Sequence, residues 1–178
     1  NEELGMRNEE FAPYDRCDDF SGKTLKPIWQ WNHEPIAGKW SLKGGRLNIT
    51  AMPAKDYLWA RNTLTQRAIG PVSTTTVTLD ASKLKDGDIA GLAVLNMPYA
   101  YIGVEKSGKS LRLKWYDQNG NKTEAANLSA TKVYLRMTGD FDNATGTLLY
   151  SIDGKEFKQM GGEILMPYQL KTFQGARL

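Results

Sequence analysis

The chain has 178 residues, of which 40% are hydrophobic and 24% charged, and its formal net charge at neutral pH is +3. These values are typical of one soluble globular domain that can bury roughly 70% of the surface its unfolded chain exposes. No apolar run approaches the roughly 18 residues of a membrane span, and the basic residues are scattered among acids. Neither a membrane nor a nucleic acid is therefore expected as a partner.

The beginning of the chain is polar and without periodicity, which predicts a linker or N-terminal arm over residues 1–17. A single domain is expected over residues 18–178. Cys17 is the only cysteine, which excludes an internal disulfide and a thiolate-rich zinc site. The lack of disulfides does not identify the cellular compartment of the protein.

An aromatic segment follows the arm: residues 29–40 contain three of the five Trp residues and the only His. Pro27, Pro35 and Gly38 interrupt the segment too often for a helix. Indole faces beside the amide of Asn32 and the imidazole of His33 would suit a sugar ring, which has an apolar face edged by hydroxyls. Alternatively, the Trp residues plug one end of a sandwich, which is the more common role of large aromatic side chains.

The rest of the chain shows hydrophobic residues with the period of two that marks strands, rather than the helical period of 3.6. Alternating runs rich in β-branched and aromatic residues occur at residues 46–50, 72–79, 111–115, 133–137 and 148–152. Within the second run, Val77 and Leu79 are expected to face the same side. Turn signals rich in Gly, Asn and Asp separate the strands at residues 43–45, 86–88, 106–109, 118–121 and 153–154.

Two further runs, residues 89–95 and 99–104, are more continuously apolar, and we expect them to lie centrally in the sheets. Short hairpin connections recur along the chain without a convincing helix. The pattern therefore predicts an all-β fold, an antiparallel β-sandwich.

The sequence offers little for catalysis. A single His cannot form a metal cluster, and the chain has neither a Gly-x-Ser-x-Gly motif nor a glycine-rich phosphate loop. Two carboxylates could hydrolyse a glycoside. The candidate pairs, however, all lie in turn-like segments: Asp18 and Asp19, Asp86 and Asp88, and Asp140 and Asp142. The chain by itself is therefore predicted not to be an enzyme.

A series of ordered motifs carries a resemblance to a known family. Trp-Gln-Trp-Asn-His at 29–33 is followed by Ala-Arg-Asn-Thr-Leu-Thr-Gln-Arg at 60–67, Gly-Pro at 70–71, Lys-Asp-Gly-Asp-Ile-Ala-Gly-Leu at 85–92, Tyr-Ile-Gly-Val at 101–104, Tyr-Ser-Ile-Asp-Gly at 150–154 and Phe-Gln-Gly-Ala-Arg at 173–177. Together they resemble the C-terminal concanavalin A-like β-sandwich of family 43 glycoside hydrolases, the group of β-xylosidases and α-L-arabinofuranosidases. The resemblance runs from about Asp18 to the end of the chain and implies a jelly-roll sandwich.

In that family the catalytic acids lie in a separate five-bladed propeller that precedes the sandwich. The resemblance thus implies a non-catalytic accessory domain of a xylan- or arabinoxylan-degrading enzyme. Its implied partners are the catalytic propeller and a plant cell-wall polysaccharide or oligosaccharide, and its implied location is secreted or periplasmic in a bacterium. The alternative is a purely structural sandwich domain with no affinity for a glycan.

The resemblance gives more weight to sugar binding by exposed aromatic and amide groups. The residues predicted to contact sugar are Trp29, Trp31, Asn32, His33, Arg61, Gln66 and Arg67. On a strand Arg61 and Arg67 would share one face, where their guanidinium groups could grip sugar hydroxyls or acidic groups. Pairing of these Arg residues with Asp or Glu across the sheet is an equal alternative.

A loop of the sandwich reaches the substrate pocket of the propeller in some members of the family. The candidate for that loop in this chain is the aromatic segment made of Tyr57, Leu58 and Trp59.

The end of the sequence departs from the family pattern. The family's sandwich usually continues past the Gly-x-Arg motif with one or two strands and an Asp-rich segment, whereas this chain stops at Leu178. We therefore expect a sandwich that lacks its last strand or strands. Related sandwiches often hold a structural calcium ion, for which Asp19 would be the ligand at the start of the first strand. Because its partner acids are missing, no tight ion or other cofactor is expected, and a chelator should leave the melting temperature nearly unchanged.

Overall fold

The computed structural model describes residues 15–168 and 177–178. Most of the predicted arm (residues 1–14) and part of the last motif of the resemblance (residues 173–176) lie outside this range. The described strands are, in chain order, β1 Gln30–Trp31, β2 Trp40–Leu42, β3 Leu47–Ile49, β4 Leu64–Thr65, β5 Val72–Asp80, β6 Ile89–Val94, β7 Ala100–Ser107, β8 Ser110–Asp117, β9 Lys122–Leu128, β10 Lys132–Asp140, β11 Thr145–Ser151, β12 Lys158–Gln159 and β13 Ile164–Leu165. A 3-10 turn, Tyr57–Trp59, lies between β3 and β4.

Two antiparallel sheets make up the body of the domain. One sheet has the order β6-β7-β8-β9, so that each strand pairs with its neighbour in the chain. The other has the order β12-β11-β10-β5, and β13 also pairs with β11. The predicted all-β, antiparallel architecture is confirmed. Within the described residues, no helix is of the length and apolar character that crossing a bilayer requires.

Two small ribbons complete the described structure. The pair β2 and β3 forms one hairpin, and β1 pairs with β4 over two residues of each strand. The second ribbon joins the aromatic segment to the polar segment around Arg67, although more than thirty residues separate them in the chain. It thereby places both predicted sugar-binding clusters in one region of the molecule.

The core lies between the two main sheets and follows from the period of two. Val133, Leu135 and Met137 alternate along β10 and have no solvent exposure. From the other sheet, fully buried side chains meet them: Ile102, Val104, Leu113 and Trp115. Burying each such side chain stabilises the fold by about 1.5–3 kcal/mol.

Two side chains at the margin of this core face the way the sequence predicts. Val77 and Leu79 on β5 both pack against the core, as the alternation predicts. Trp115 is the fully buried Trp of the described chain, whereas the three Trp residues of the aromatic segment are half-buried. The aromatic segment therefore does not supply the centre of the core.

Among the described residues, one of the two more continuously apolar runs does not have the central position that was expected. The run at residues 89–95 forms β6, which in the described chain pairs with β7 alone, apart from an isolated bridge between Leu95 and Arg177. The run at residues 99–104 forms most of β7, which lies between β6 and β8 as predicted. On the outward face of β6, Gly91 and Ala93 are small and Ile89 is exposed, so the run is apolar in sequence although only one of its faces is buried.

Candidate functional site

The ribbon of β1 and β4 builds the base of the candidate site. Gln30 lies opposite Thr65, and Trp31 lies opposite Leu64. The Thr65 hydroxyl donates to the carbonyl oxygen of Gln30 at 2.8 Å, and the Asn32 N–H donates to the Thr63 carbonyl at 2.9 Å. These bonds fix the direction in which the side chains of the aromatic segment leave the backbone.

An open cleft of about 410 Å³ lies beside this ribbon. The described residues that line it are Gln30, Trp31, Asn32 and Arg177. The ring of Trp31 is half-buried and packs on Trp40 with the ring centroids 5.0 Å apart and the planes tilted by 56°. One indole, two amides and one guanidinium thus meet at a concave surface, a combination that can recognise a polar ring with an apolar face.

Trp29 has a different environment from Trp31. Its ring stacks on Phe20 with the centroids 5.5 Å apart, and its indole N–H donates to an Asp18 carboxylate oxygen at 2.8 Å. It is not among the described residues that line the cleft. In this structure Trp29 fastens the start of the domain to β1.

His33 holds the aromatic loop. Its Nε2 lies 2.8 Å from the carbonyl oxygen of Leu58. Because a carbonyl oxygen only accepts hydrogen bonds, Nε2 must carry the proton and donate it. The imidazole also lies almost parallel to the ring of Trp59, with 6.5 Å between the centroids and 7° between the planes.

The aromatic loop is also stabilised by a residue of its own segment. The Asp56 carboxylate accepts the Leu58 N–H at 2.9 Å and caps the 3-10 turn. Trp59 then stands at the surface with 63% of its area exposed. The loop predicted to reach the substrate pocket therefore presents one exposed aromatic ring rather than two.

Tyr57 is the anchor of that loop. Its ring centroid lies 5.3 Å from that of Tyr99, which lies 5.6 Å from the ring of Tyr116 on β8. Burial raises the pKa of the Tyr57 hydroxyl well above its ordinary value. Tyr57 thus ties the loop to the outer face of the four-stranded sheet.

The second predicted cluster is only partly assembled. Asn62 adopts a left-handed conformation (φ 56°), so the chain turns there instead of running as one strand from Arg61 to Arg67. The expectation that these two Arg residues share one strand face is therefore wrong. Sequence reasoning missed this turn because Asn tolerates positive φ without any change in the apolar pattern.

The polar side chains of this cluster bond mainly to the backbone. A guanidinium N–H of Arg61 donates to the Glu34 carbonyl, and the Gln66 amide donates to the Arg16 carbonyl at 3.0 Å. Arg67 is exposed, and among the described residues neither Arg61 nor Arg67 forms an ion pair with Asp or Glu. The alternative of acid partners across the sheet thus finds no support in this part of the chain.

Arg177, like Gln30, lines the cleft but was not predicted from the sequence to contact sugar. It is only 8% exposed, and burial together with the positive charge of Arg67 lowers the pKa of Arg177 below its ordinary value. Its Nη1 lies 3.4 Å from the Thr65 hydroxyl, and its Nε has no hydrogen-bond partner. In the sequence, only its place in the final motif of the resemblance could have pointed to Arg177. No residue near it in the chain indicated a cleft.

Asp19 does not have the surroundings of a calcium ligand among the described residues. It lies eleven positions before the start of the first strand, β1, instead of beginning it, and one carboxylate oxygen accepts both the N–H and the hydroxyl of Ser21. No group of three or more His, Cys, Asp or Glu side chains converges within the described ranges. These residues alone do not form a calcium site, and the expected result with a chelator stays a prediction.

Comparisons with known proteins give the family. A family model for the beta-xylosidase C-terminal concanavalin A-like domain matches residues 17–178. The beta-xylosidase of Formosa agariphila is 30% identical over 170 residues, which cover 81% of this chain and 28% of that enzyme.

Solved structures agree with this match. The chain superposes on a bifunctional GH43-CE protein of Bacteroides eggerthii with a TM-score of 0.83 and 34% identity, over 90% of this chain and 22% of that one. A GH43 glycoside hydrolase engineered to display both endo-xylanase and exo-arabinofuranosidase activity gives a TM-score of 0.77 and 33% identity, over 90% of this chain and 36% of that one.

The chain therefore spans less than a third of the length of the curated relatives it matches. The matched part is the sandwich that forms their C-terminal domain, not the catalytic part. The concanavalin A-like fold and the resemblance to family 43 glycoside hydrolases are confirmed. The chain belongs to the family of beta-xylosidase C-terminal concanavalin A-like domains, the non-catalytic accessory part of family 43 glycoside hydrolases.

Proposed function

We propose that this accessory domain serves a xylan- or arabinoxylan-degrading enzyme by binding the polysaccharide and by supporting the catalytic propeller. The observation that carries the binding role is the cleft beside Trp31. An indole face can stack on the apolar face of a pyranose, and the amides of Gln30 and Asn32 can exchange hydrogen bonds with its hydroxyls.

The supporting role rests on the loop that carries Trp59. This ring is exposed, yet the loop is held by the Asp56 cap, the His33 hydrogen bond and the packing of Tyr57. A large aromatic side chain kept rigid at the surface loses little conformational entropy when a partner covers it. We propose that the propeller, or a glycan bound to it, covers Trp59.

The test of the binding role is titration of the 178-residue chain with xylo-oligosaccharides and arabinoxylan fragments by calorimetry. We expect a dissociation constant on the order of 0.1–1 mM, equivalent to about −4 to −5.5 kcal/mol. Trp31→Ala should abolish binding, because the ring supplies the stacking surface. Tyr168→Ala, which removes an aromatic ring that is 72% exposed but outside the cleft, should bind like the wild type.

Thermal melting of the same variants separates binding from a purely structural role. That alternative has its own support, because Trp31 packs on Trp40 and Trp29 fastens the domain start. If the ring only plugs the fold, Trp31→Ala should cost roughly 3–5 kcal/mol of stability. Such a loss in a protein whose wild type binds no xylan fragment would contradict the proposed function.

A further inference from the structure

We propose that the cleft lined by Arg177 binds the carboxylate of an acidic sugar, so that the domain prefers glycans carrying uronic acid groups to neutral ones. The inference rests on the proposed function and narrows it to one class of glycan. Its basis is a buried, positively charged side chain at the cleft whose Nε has no hydrogen-bond partner and which forms no ion pair with an acid of the described residues.

Arg177 is held in place by its backbone. The Leu95 N–H donates to the Arg177 carbonyl at 2.8 Å, and the Arg177 N–H donates to the Leu95 carbonyl at 3.3 Å. On the other side, Arg177 forms an antiparallel bridge with Arg67, and the next residue, Leu178, pairs with Gln66 through two backbone hydrogen bonds. Backbone contacts with Leu95 on one side and with the segment around Arg67 on the other therefore hold Arg177 beside the cleft.

The guanidinium group of Arg177 is poorly satisfied by the described protein. It carries five N–H donors. One of them makes a long contact of 3.4 Å with the Thr65 hydroxyl, and Nε makes none. No Asp or Glu of the described residues lies within ion-pair distance of Arg177. A buried cation without a counter-charge is costly, and an anion in the cleft would offset that cost.

The charge around Arg177 favours an anion further. The neighbouring residue across the bridge, Arg67, is also positive, and its influence on Arg177 is repulsive. A carboxylate placed between two cations would replace that repulsion with attraction. Carboxylates also match the planar guanidinium fork, which can bind both oxygens in parallel.

The other groups of the cleft indicate that the carboxylate belongs to a sugar rather than to an acidic peptide. Trp31 is a half-buried aromatic residue of the lining, and Gln30 and Asn32 offer both donors and acceptors for hydroxyls. A site for acidic peptide side chains needs only the cations. The combination of a stacking ring, two amides and a guanidinium matches a uronic acid, which has a pyranose face, hydroxyls and a carboxylate.

The experiment compares ligands on the unchanged 178-residue chain, so that it does not depend on a variant that folds. The probes are a xylotriose carrying one glucuronic acid group, the same oligosaccharide after its carboxyl group is reduced to an alcohol, and a glutamate hexapeptide. Calorimetry at low salt should show the acidic oligosaccharide binding about tenfold tighter than the reduced one, which is 1.4 kcal/mol. The difference should shrink as the ionic strength is raised from about 0.01 M to about 1 M, because the Debye length falls from about 30 Å to about 3 Å.

Variants then assign the preference to the cleft. Arg177→Gln should remove the preference for the acidic probe. Arg67→Gln should weaken that preference, and this variant leaves the buried Arg177 unchanged. Arg112→Gln, which removes an exposed Arg on β8 in the four-stranded sheet, should leave it intact.

Equal affinity for the acidic and reduced probes would overturn the inference while leaving the proposed function standing. No binding of either probe would overturn both. If Arg112→Gln loses the preference for the acidic probe as fully as Arg177→Gln does, the preference comes from the net charge of the chain. The same holds if the glutamate peptide binds as tightly as the acidic oligosaccharide. Either result would overturn the assignment to Arg177.

Discussion

At the scale of single residues, the three indole rings between residues 29 and 40 make different contacts although they are close in sequence. Trp29 is held by Phe20 and Asp18, whereas Trp31 and Trp40 pack on each other and only Trp31 reaches the described cleft. Composition alone could predict an aromatic site here. It could not tell the rings apart, because their roles depend on partners from other segments.

The same limit applies to His33, whose contact with sugar stays a prediction. Its imidazole supports the loop that ends in Trp59, and the acceptor is a backbone carbonyl that no side-chain pattern reveals. Arg177 was missed for a related reason, since its burial results from strands that are distant in sequence.

We predict that His33→Ala loosens the loop without unfolding the domain. The variant loses one hydrogen bond and the packing on Trp59, so stability should fall by about 0.5–1.5 kcal/mol. In protein labelled with 5-fluorotryptophan, the fluorine resonance of Trp59 should sharpen and move toward the position of an unstructured Trp. Assignment comes from Trp59→Phe, which removes that signal. An unchanged Trp59 resonance in His33→Ala would show that the loop does not depend on the imidazole.

At the scale of elements, β6 and β7 approach each other closely through paired glycines. Gly91 lies directly opposite Gly103 in the register, and a Cβ built on Gly91 would overlap the Ile102 carbonyl and the Gly103 backbone. The sequence contains both glycines in family motifs, but only the pairing register shows that they face each other. Glycine in a strand often marks such a close approach.

Gly91→Ala should therefore destabilise the domain by about 1–3 kcal/mol, because the strands must separate to admit the methyl group. The matched control is Gly162→Ala, where the added methyl group meets no atom within 4 Å. Urea denaturation of both variants gives the difference in the free energy of unfolding. If Gly91→Ala is as stable as Gly162→Ala, then the close pairing of β6 and β7 is not a constraint on the fold.

Strands with one buried face were predictable, and the short ribbons were not. The alternating runs match β5, β8, β10 and β11, because inward apolar side chains impose a visible period of two. The run at residues 46–50 matches β3, although Leu47 there is only half-buried and Ile49 is exposed. The strands β1 and β4 have two residues each, too few to show any period. The candidate site is built on that ribbon, so its assembly was the least predictable part of the molecule.

At the scale of the whole molecule, acids of the candidate catalytic pairs accept backbone hydrogen bonds from residues close to them in sequence. The Ser21 hydroxyl and N–H hold the pKa of Asp19 below its ordinary value, and Asn143 does the same for Asp140 through its side chain and backbone. A general acid for glycoside cleavage needs the opposite shift, so that it keeps its proton near neutral pH.

We accordingly expect the chain to release no aryl alcohol from aryl β-xylosides or aryl α-L-arabinofuranosides above a blank without protein. A spectrophotometric assay over hours at high protein concentration makes the test sensitive. Turnover that survives repurification, and that an Asp or Glu substitution abolishes, would contradict this prediction.

The pairing of β5 with β10 has a consequence for the order in which the protein forms during synthesis. The strands β7, β8 and β9 each pair with the strand made just before, so that their sheet can assemble hairpin by hairpin as the chain leaves the ribosome. In the described structure β5 pairs with no strand but β10, which begins at Lys132. Until that residue is made, Val77 and Leu79 remain without their partners, and the nascent chain carries an open edge that a chaperone or a second nascent chain can bind.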